Sequence, residues 1–474
     1  MLRRSISDIS KYTKGTLEFF GQPITYILRQ QQFLLLLAVA VTESAFSSSA
    51  ITLNFYFITL LKNGQSTSFE FPVVLTIYYL VSLSTSSYFG SLSDSLGRRR
   101  LLIIGTAAAA ISFVPFPLLF VNYADSQWNF IILALSHGLK GLAAAMMAGP
   151  VLAMFADIAP AKNHGETMGK FYLAKSAGAA SGFLLGSFAW GLFGENAFFF
   201  FLIIMLAATA LYLFRFKEPR QTEKKRMGDA IAESGGINPF TTVLQSLQNK
   251  QFQKFAIAWL AYSTLTGAAT NYLLPAVLLE GYIDYSSELG VLFLVGAGIM
   301  GLTQPTIGRL SDRIGRKPFL VLGVVGMSLL VVMLSAVLQL PPQEVIDIVY
   351  HPIDIFTTKS LEFVPGFPIG IPPPIIILSL VVFLLSASCF ASSSLGLITD
   401  VTEEGARGRE MGLTQAITSS GSILGTVVGG VFWGFQGILG VLTFCFGLSM
   451  IAVIIIMLFL YETSGFYHFA HKLM

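Results

Sequence analysis

Glu43 is the one acidic side chain that lies well inside a long apolar run; the other acids fall in polar breaks or near the ends of such runs. Two bases sit in comparable surroundings, His137 and Lys140, three residues apart and therefore on one face of a helix. With a rise of about 1.5 Å per residue, Glu43 lies about 15 Å from Phe33, and Lys140 about 16 Å from Asn129. In a hydrocarbon layer about 30 Å thick both would be near the midplane. Ionisable groups at that depth cost about 2.5 to 3.5 kcal/mol each and face a partner or a polar space. The chemistry open to them is proton loading: dehydration disfavours a charged carboxyl, a nearby ammonium favours it, and a changing neighbour would load and release a proton. The alternative is an ion pair that fixes helix packing.

A second group recurs. Gly90-Ser-Leu-Ser-Asp94-Ser-Leu-Gly97-Arg98-Arg99 returns 218 residues later as Gly308-Arg-Leu-Ser-Asp312-Arg-Ile-Gly315-Arg316-Lys317. Farther along, Asp157, Gly165, Met168, Gly178, Gly182, Gly186 and Trp190 return at an offset of 243, as Asp400, Gly408, Met411, Gly421, Gly425, Gly429 and Trp433. The chain is duplicated, and the difference in offset is absorbed by an insertion in the second half, assigned to 341–374. The charged trio has no counterpart, since His137 and Lys140 map to Leu380 and Phe383, and Glu43 to the vicinity of Ala261 and Tyr262. Scaffold residues recur in a duplication, whereas residues of special function need not.

These groups must be held by membrane helices. Of 474 residues 54% are hydrophobic and only 12% charged, about half the charge of a soluble domain. Apolar runs fall at 33–61, 73–90, 101–121, 129–156, 168–190 and 196–214, then at 255–279, 289–307, 318–340, 374–399, 411–434 and 438–461. Between the sets lies a polar connector, 215–254; a segment 1–32 precedes them and a tail 462–474 follows. The first segment has Arg3, Arg4, Lys11, Lys14 and Arg29 but no short apolar core with a cleavage site, so it does not read as a signal peptide. With the N-terminus inside, outside segments hold only Lys62 and Lys359, which predicts both termini cytoplasmic.

Several function classes drop out. A formal charge of +3 is too balanced for a nucleic-acid binder. Cys389 and Cys445 lie inside apolar runs, and His468 and His471 lack metal-ligand company. No phosphate-cradling loop or nucleophile–base pair is present, so neither an enzyme nor an ATP-driven pump is indicated, and no cofactor is expected.

With its loop motif G-x-L-x-D-x-x-G-R-[RK] complete in both halves, the sequence resembles the major facilitator superfamily over essentially its whole length. The resemblance implies an all-α membrane protein, twelve transmembrane helices in two pseudo-symmetric six-helix bundles, 33–214 and 255–461. Gly90, Gly97, Gly308 and Gly315 would permit tight backbone paths, and Asp94 and Asp312 would face positive helix ends of the opposite half. Arg98 and Arg316 would pair with Asp157 and Asp400. With Arg407, these residues form the expected latch on the cytoplasmic side; the alternative is that the arginines only enforce topology.

Within the superfamily the look is that of drug/proton antiporters, from Pro275 to Gly281, Gln304-Pro305-x-x-Gly308 and Glu218-Pro219. The antiporter signature of span 5 is incomplete, since Gly178-x-x-x-Gly182-Phe183-x-x-Gly186-Ser187 lacks its proline, and glycines at that spacing also serve close helix packing. His137 stands where span 4 usually has arginine, with Lys140 one turn on. Spans 1 and 4 line the cavity in the resembled family, so Glu43, His137 and Lys140 are expected to meet there and couple transport to protons. Asn54, Asn271, Tyr272 and Gln304 are candidates for the substrate cavity or, equally, for bonds between helices.

The reading is a monomeric secondary transporter in the plasma (inner) membrane, in contact with lipid, exporting small amphipathic or organic compounds by proton-coupled alternating access. An importer of a sugar or metabolite and a non-transporting receptor or scaffold are the alternatives.

Overall fold

The structure is a computed structural model that describes residues 31–62, 70–116, 126–159, 163–214, 250–268, 271–272, 286–337, 373–402 and 407–460. Among these residues the chain is helical throughout. The first half contains α1 (Gln31–Lys62), α2 (Glu70–Leu96), α3 (Arg98–Phe113), α4 (Ser126–Ile158), α5 (His164–Phe193) and α6 (Phe198–Phe214). The second contains α7 (Lys250–Ala268), α8 (Ser286–Ile314), α9 (Arg316–Val337), α10 (Pro373–Val401) and the stretch Arg407–Phe459. That stretch leaves helical geometry at Gln436 and Gly437, the latter with φ 58°, so it is two helices, α11 before the break and α12 after it. This is the twelve-helix, two-bundle architecture implied by the duplicated sequence. Most of the segment 1–32, most of the connector 215–254, almost all of the insertion 341–374 and the whole tail 462–474 lie outside the described residues.

Apolar periodicity explains how each helix is seated. In α6 the stripe Phe198, Phe201, Met205, Ala208 and Tyr212 is buried, and Phe199, Phe200, Ile203, Leu206 and Phe214 face outward. The run of four phenylalanines thus divides, two rings packing inward and two presented to the surroundings. Phe198 stacks on Phe116 with centroids 4.4 Å apart, and Phe201 meets Phe113 edge-on. Seven described helices carry a stretch long and apolar enough to cross a membrane.

The glycine rows pack helices. Ser48 donates to the Gly182 carbonyl at 2.8 Å and Thr52 to that of Gly186 at 3.3 Å, possible because α1 lies directly against the glycine face of α5. In the second half α7 lies on Gly421, Gly425 and Gly429 of α11 in the same manner. Small residues let helix backbones approach in this way.

The loop motif makes two different uses of its glycines. Gly97 and Gly315 have φ 92° and 138° and turn the chain sharply from α2 into α3 and from α8 into α9. Gly90 and Gly308, expected to give tight loop paths, instead lie inside helices and touch the opposite half. A side chain on Gly308 would strike the Gly165 backbone, and one on Gly90 would strike that of Gly408. The second basic residue of each motif closes a helix end: Arg99 donates to the Tyr212 carbonyl of α6 at 3.1 Å, and Lys317 to the Met457 carbonyl of α12 at 2.7 Å.

Candidate functional site

Lys140 and His137 point into the first bundle. Lys140 is 7% exposed. Its Nζ donates to Ser49 Oγ of α1 at 2.6 Å and lies 5.3 Å and 5.8 Å from the ring centroids of Phe46 and Phe113. The rings present their negative faces to the ammonium and supply part of what water would have given. His137 is 3% exposed, hydrogen-bonds the Leu133 carbonyl of its own helix through Nδ1 at 3.1 Å, and meets Phe116 edge-on. Expected on a cavity wall, both side chains are placed among aromatic residues of the bundle core. Their three-residue spacing does put them on one helix face, and that face is turned toward α1 and α3.

Glu43 is half-buried on α1, where it lies against Gly178 of α5. It forms no ion pair with Lys140 or any other described residue; Lys140 is taken up by Ser49 one turn and more along α1. The Glu43 charge nevertheless acts on Lys140, on Tyr78 of α2 and on Tyr172 of α5. Tyr172 in turn lies near Tyr262 of α7, which stacks on Phe390 at 3.7 Å, and Phe390 stacks on Trp259 at 5.7 Å. Glu43 therefore stands beside two tyrosines of its own half, one of which adjoins an aromatic group of the other half. Composition could not single them out, because rings that line a site and rings that fill a core share the same spacing.

The four polar candidates all have partners. Asn54 donates to the Ala50 carbonyl within α1 at 2.8 Å. Asn271 donates to Thr426 Oγ1 at 2.6 Å and the Tyr272 hydroxyl to the Thr426 carbonyl, tying the segment after α7 to α11. Gln304 accepts from Ser176 Oγ at 3.3 Å, a contact from α8 to α5 across the two halves. In this conformation three of the four join helices and one bonds within its own.

At the helix ends that carry the loop motif the halves meet in two related clusters. Asp94 accepts from the backbone N–H groups of Gly408 and Arg409, at 3.1 and 3.0 Å, at the start of α11. Asp312 accepts from those of Gly165 and Glu166, both at 2.9 Å, at the start of α5. Each carboxylate neutralises the positive end of a helix from the other half and takes up N–H groups without a partner inside that helix. Arg98 joins Asp94 to Asp157, and Arg316 joins Asp312, at 2.6 Å, to Asp400, at 3.1 Å. Burial pushes the Asp312 carboxyl up from its ordinary value, and the Arg316 charge with the two backbone donors opposes that rise without cancelling it.

Three further side-chain contacts cross between the halves. Arg407 reaches Asp157 at 3.2 Å, His164 reaches Asp400 at 2.7 Å, and Arg309 grips Glu166 with two bonds of 3.0 and 2.9 Å. His164 and Glu166 lie outside the loop motif and Arg309 fills one of its variable positions; none of the three was among the expected residues. One signal was available for the first, because the 243-residue offset sets His164 opposite Arg407.

The Lys140 geometry carries a prediction. In double-mutant cycles read by thermal unfolding in detergent, Lys140→Met combined with Ser49→Ala should give an interaction energy of about 1 kcal/mol or more, as expected of groups in contact. Lys140→Met combined with Glu43→Gln should give a smaller one. The reverse order would show that the ammonium leaves Ser49 for the carboxylate.

A family model described as the Major Facilitator Superfamily matches residues 23–349. Among curated relatives, the chain is 27% identical over 309 residues to the multidrug resistance protein MdtG of Citrobacter koseri, covering 63% of this chain and 70% of the relative. It is 27% identical over 315 residues to the protein of the same name from Escherichia coli (strain K12 / DH10B), covering 64% and 71%. Among solved structures, the human organic anion transporter MFSD10 (TETRAN) superposes with a TM-score of 0.62 at 15% identity, over 92% of this chain and 100% of that one. With the family's loop motif in both halves and its twelve-helix fold, this multi-pass membrane chain belongs to the Major Facilitator Superfamily and is a transporter, not an enzyme.

Proposed function

We propose that the protein exports small amphipathic or organic compounds in exchange for protons, by alternating access between its two bundles. The observation that carries this reading is Glu43, a half-buried acid within α1 that has no ion-pair partner among the described residues and stands beside Tyr78 and Tyr172. A carboxyl so placed changes its charge when it takes a proton, and the aromatic groups beside it suit an organic substrate. The multidrug-resistance names of the relatives support the substrate class and the outward direction. The latch reading is supported by the paired clusters around Asp94 and Asp312, which hold the cytoplasmic ends together while Arg98 and Arg316 tie each to Asp157 and Asp400.

In this cycle the protein works as a monomer in the plasma (inner) membrane with both termini cytoplasmic, an orientation supported by the distribution of Lys and Arg. Purified protein in liposomes of known orientation, given an imposed pH gradient and a panel of labelled organic cations, anions and neutral amphiphiles, tests it. Export is expected to follow the proton gradient and to collapse with a protonophore. Uptake in the same direction as the protons would make it an importer. Saturable binding with no movement of any compound would make it a receptor or scaffold.

A further inference from the structure

The two cytoplasmic clusters share their carboxylates and motif arginines and differ around them, at His164 against Arg407, Glu166 against Arg409 and Arg309 against Ser91. In the first, Asp94 and Asp157 face Arg98 and Arg407, two carboxylates against two guanidinium groups. In the second, Asp312 and Asp400 face Arg316 and His164. There Arg316 is shared by both carboxylates, and His164 stands where the twin has an arginine, so it supplies the matching charge only when the imidazole is protonated. Imidazole is the side chain whose ordinary titration falls between pH 5 and 8. We infer that His164 is a proton-sensing element of the cytoplasmic gate, one that strengthens closure as cytoplasmic pH falls.

The surroundings of His164 decide the sign. From α10 it meets Asp400, with Nδ1 2.7 Å from Oδ1. From α8 the Asp312 carboxylate binds the N–H groups of the two residues after His164, and Arg309 is engaged by Glu166. From α9 Arg316 is shared between Asp312 and Asp400. On α5 itself Glu166 is also held by Lys170 at 3.1 Å. A further positive influence is the start of α5, which the Asp312 carboxylate covers. Glu166 with Arg309 and Lys170 leaves one positive charge nearby, but the group in contact with His164 is the Asp400 carboxylate, so a proton on His164 gains an ion pair, and does so only while α5 and α10 are together. A proton that binds one state better must favour that state. Closure takes up the proton, opening releases it, and the stabilisation fades as the pH rises. A neutral imidazole can still donate from Nδ1 to Asp400, but without the charge that makes such a bond strong.

This inference concerns the gate and stands whichever way substrate moves. Spin labels on Arg100→Cys and Ile314→Cys, exposed at the cytoplasmic ends of α3 and α8, would report closure in nanodiscs between pH 5.5 and 8. The series is run in a Glu43→Gln background, so that the intramembrane acid adds no pH dependence of its own. With His164 present, the ratio of closed to open protein should fall about fivefold or more across the range. His164→Arg, which copies the twin cluster at this position, should stay closed throughout, and His164→Gln should be less closed at pH 5.5 and flat with pH. A slope retained in His164→Gln, or no slope with His164 present, overturns the inference. His164→Arg keeps the test decisive if the glutamine variant proves unstable, because a slope surviving in the arginine variant overturns it equally.

Discussion

Glu43→Gln is expected to abolish transport driven by a pH gradient while leaving the protein folded and able to bind its substrate. The side chain is half-buried in α1, against Gly178, with no ion-pair partner among the described residues. Its amide replacement keeps shape and hydrogen-bonding capacity but cannot cycle a proton. A charged group at that depth costs about 2.5 to 3.5 kcal/mol on insertion scales, so its removal should leave thermal stability in detergent unchanged or raised. Loss of a coupling group stops net movement against a gradient yet permits exchange of substrate down its own gradient. The decisive measurement is therefore a pair: gradient-driven flux, expected to fall to background, and counterflow of labelled substrate, expected to persist. Gradient-driven flux equal to wild type would remove Glu43 from the coupling role. Loss of both fluxes together with substrate binding would mark it as a substrate contact instead.

Depth could be read from the sequence and azimuth could not, and this difference accounts for most of what the sequence missed. Counting residues along α1 and α4 put Glu43 and Lys140 at similar levels, but a rise per residue says nothing about which way a side chain points. The structure turns Lys140 toward Ser49, Phe46 and Phe113 inside the bundle, and His137 with it. Those partners lie on helices whose rotation is set by packing against further helices, information spread across the whole fold. Asn271, Tyr272 and Gln304 show the same limit: a polar residue in an apolar run must find a partner, but not whether the partner is substrate or the next helix. The loop motif was more legible because it is short and occurs twice, so that turn glycines, carboxylates and arginines could be read by comparing one copy with the other. Even there, Gly90 and Gly308 read as loop glycines until the helices were seen to continue through them. His164 escaped because the repeat comparison looks for identity, and His164 matters for differing from Arg407.

Gly308→Ala is expected to hold the cytoplasmic side open and to cut transport by roughly tenfold or more, with little effect on folding. Alanine is the better helix former by about 1 kcal/mol, so α8 itself gains from the change. The new methyl group cannot be placed, however, while α8 lies on α5. Built onto Gly308 it would stand 2.6 Å from the Gly165 carbonyl carbon and closer still to the oxygen, and both neighbours are backbone that cannot rotate away. The helices must separate, and the bonds from Asp312 to the Gly165 and Glu166 N–H groups are lost with the contact. Because the proposed cycle parts these helices when the cytoplasmic side opens, the substitution would act on the equilibrium between states, and a shift of about 1.4 kcal/mol is already tenfold. Gly90→Ala should behave alike through Gly408, since the twin contact has the same geometry. Gly298→Ala in the same helix is the control, for a side chain there meets nothing within 4 Å. The labels at Arg100→Cys and Ile314→Cys should report a longer cytoplasmic distance in the first two variants and the wild-type distance in the third. A wild-type distance with undiminished transport in Gly308→Ala would show that the two helices need not touch for the protein to work.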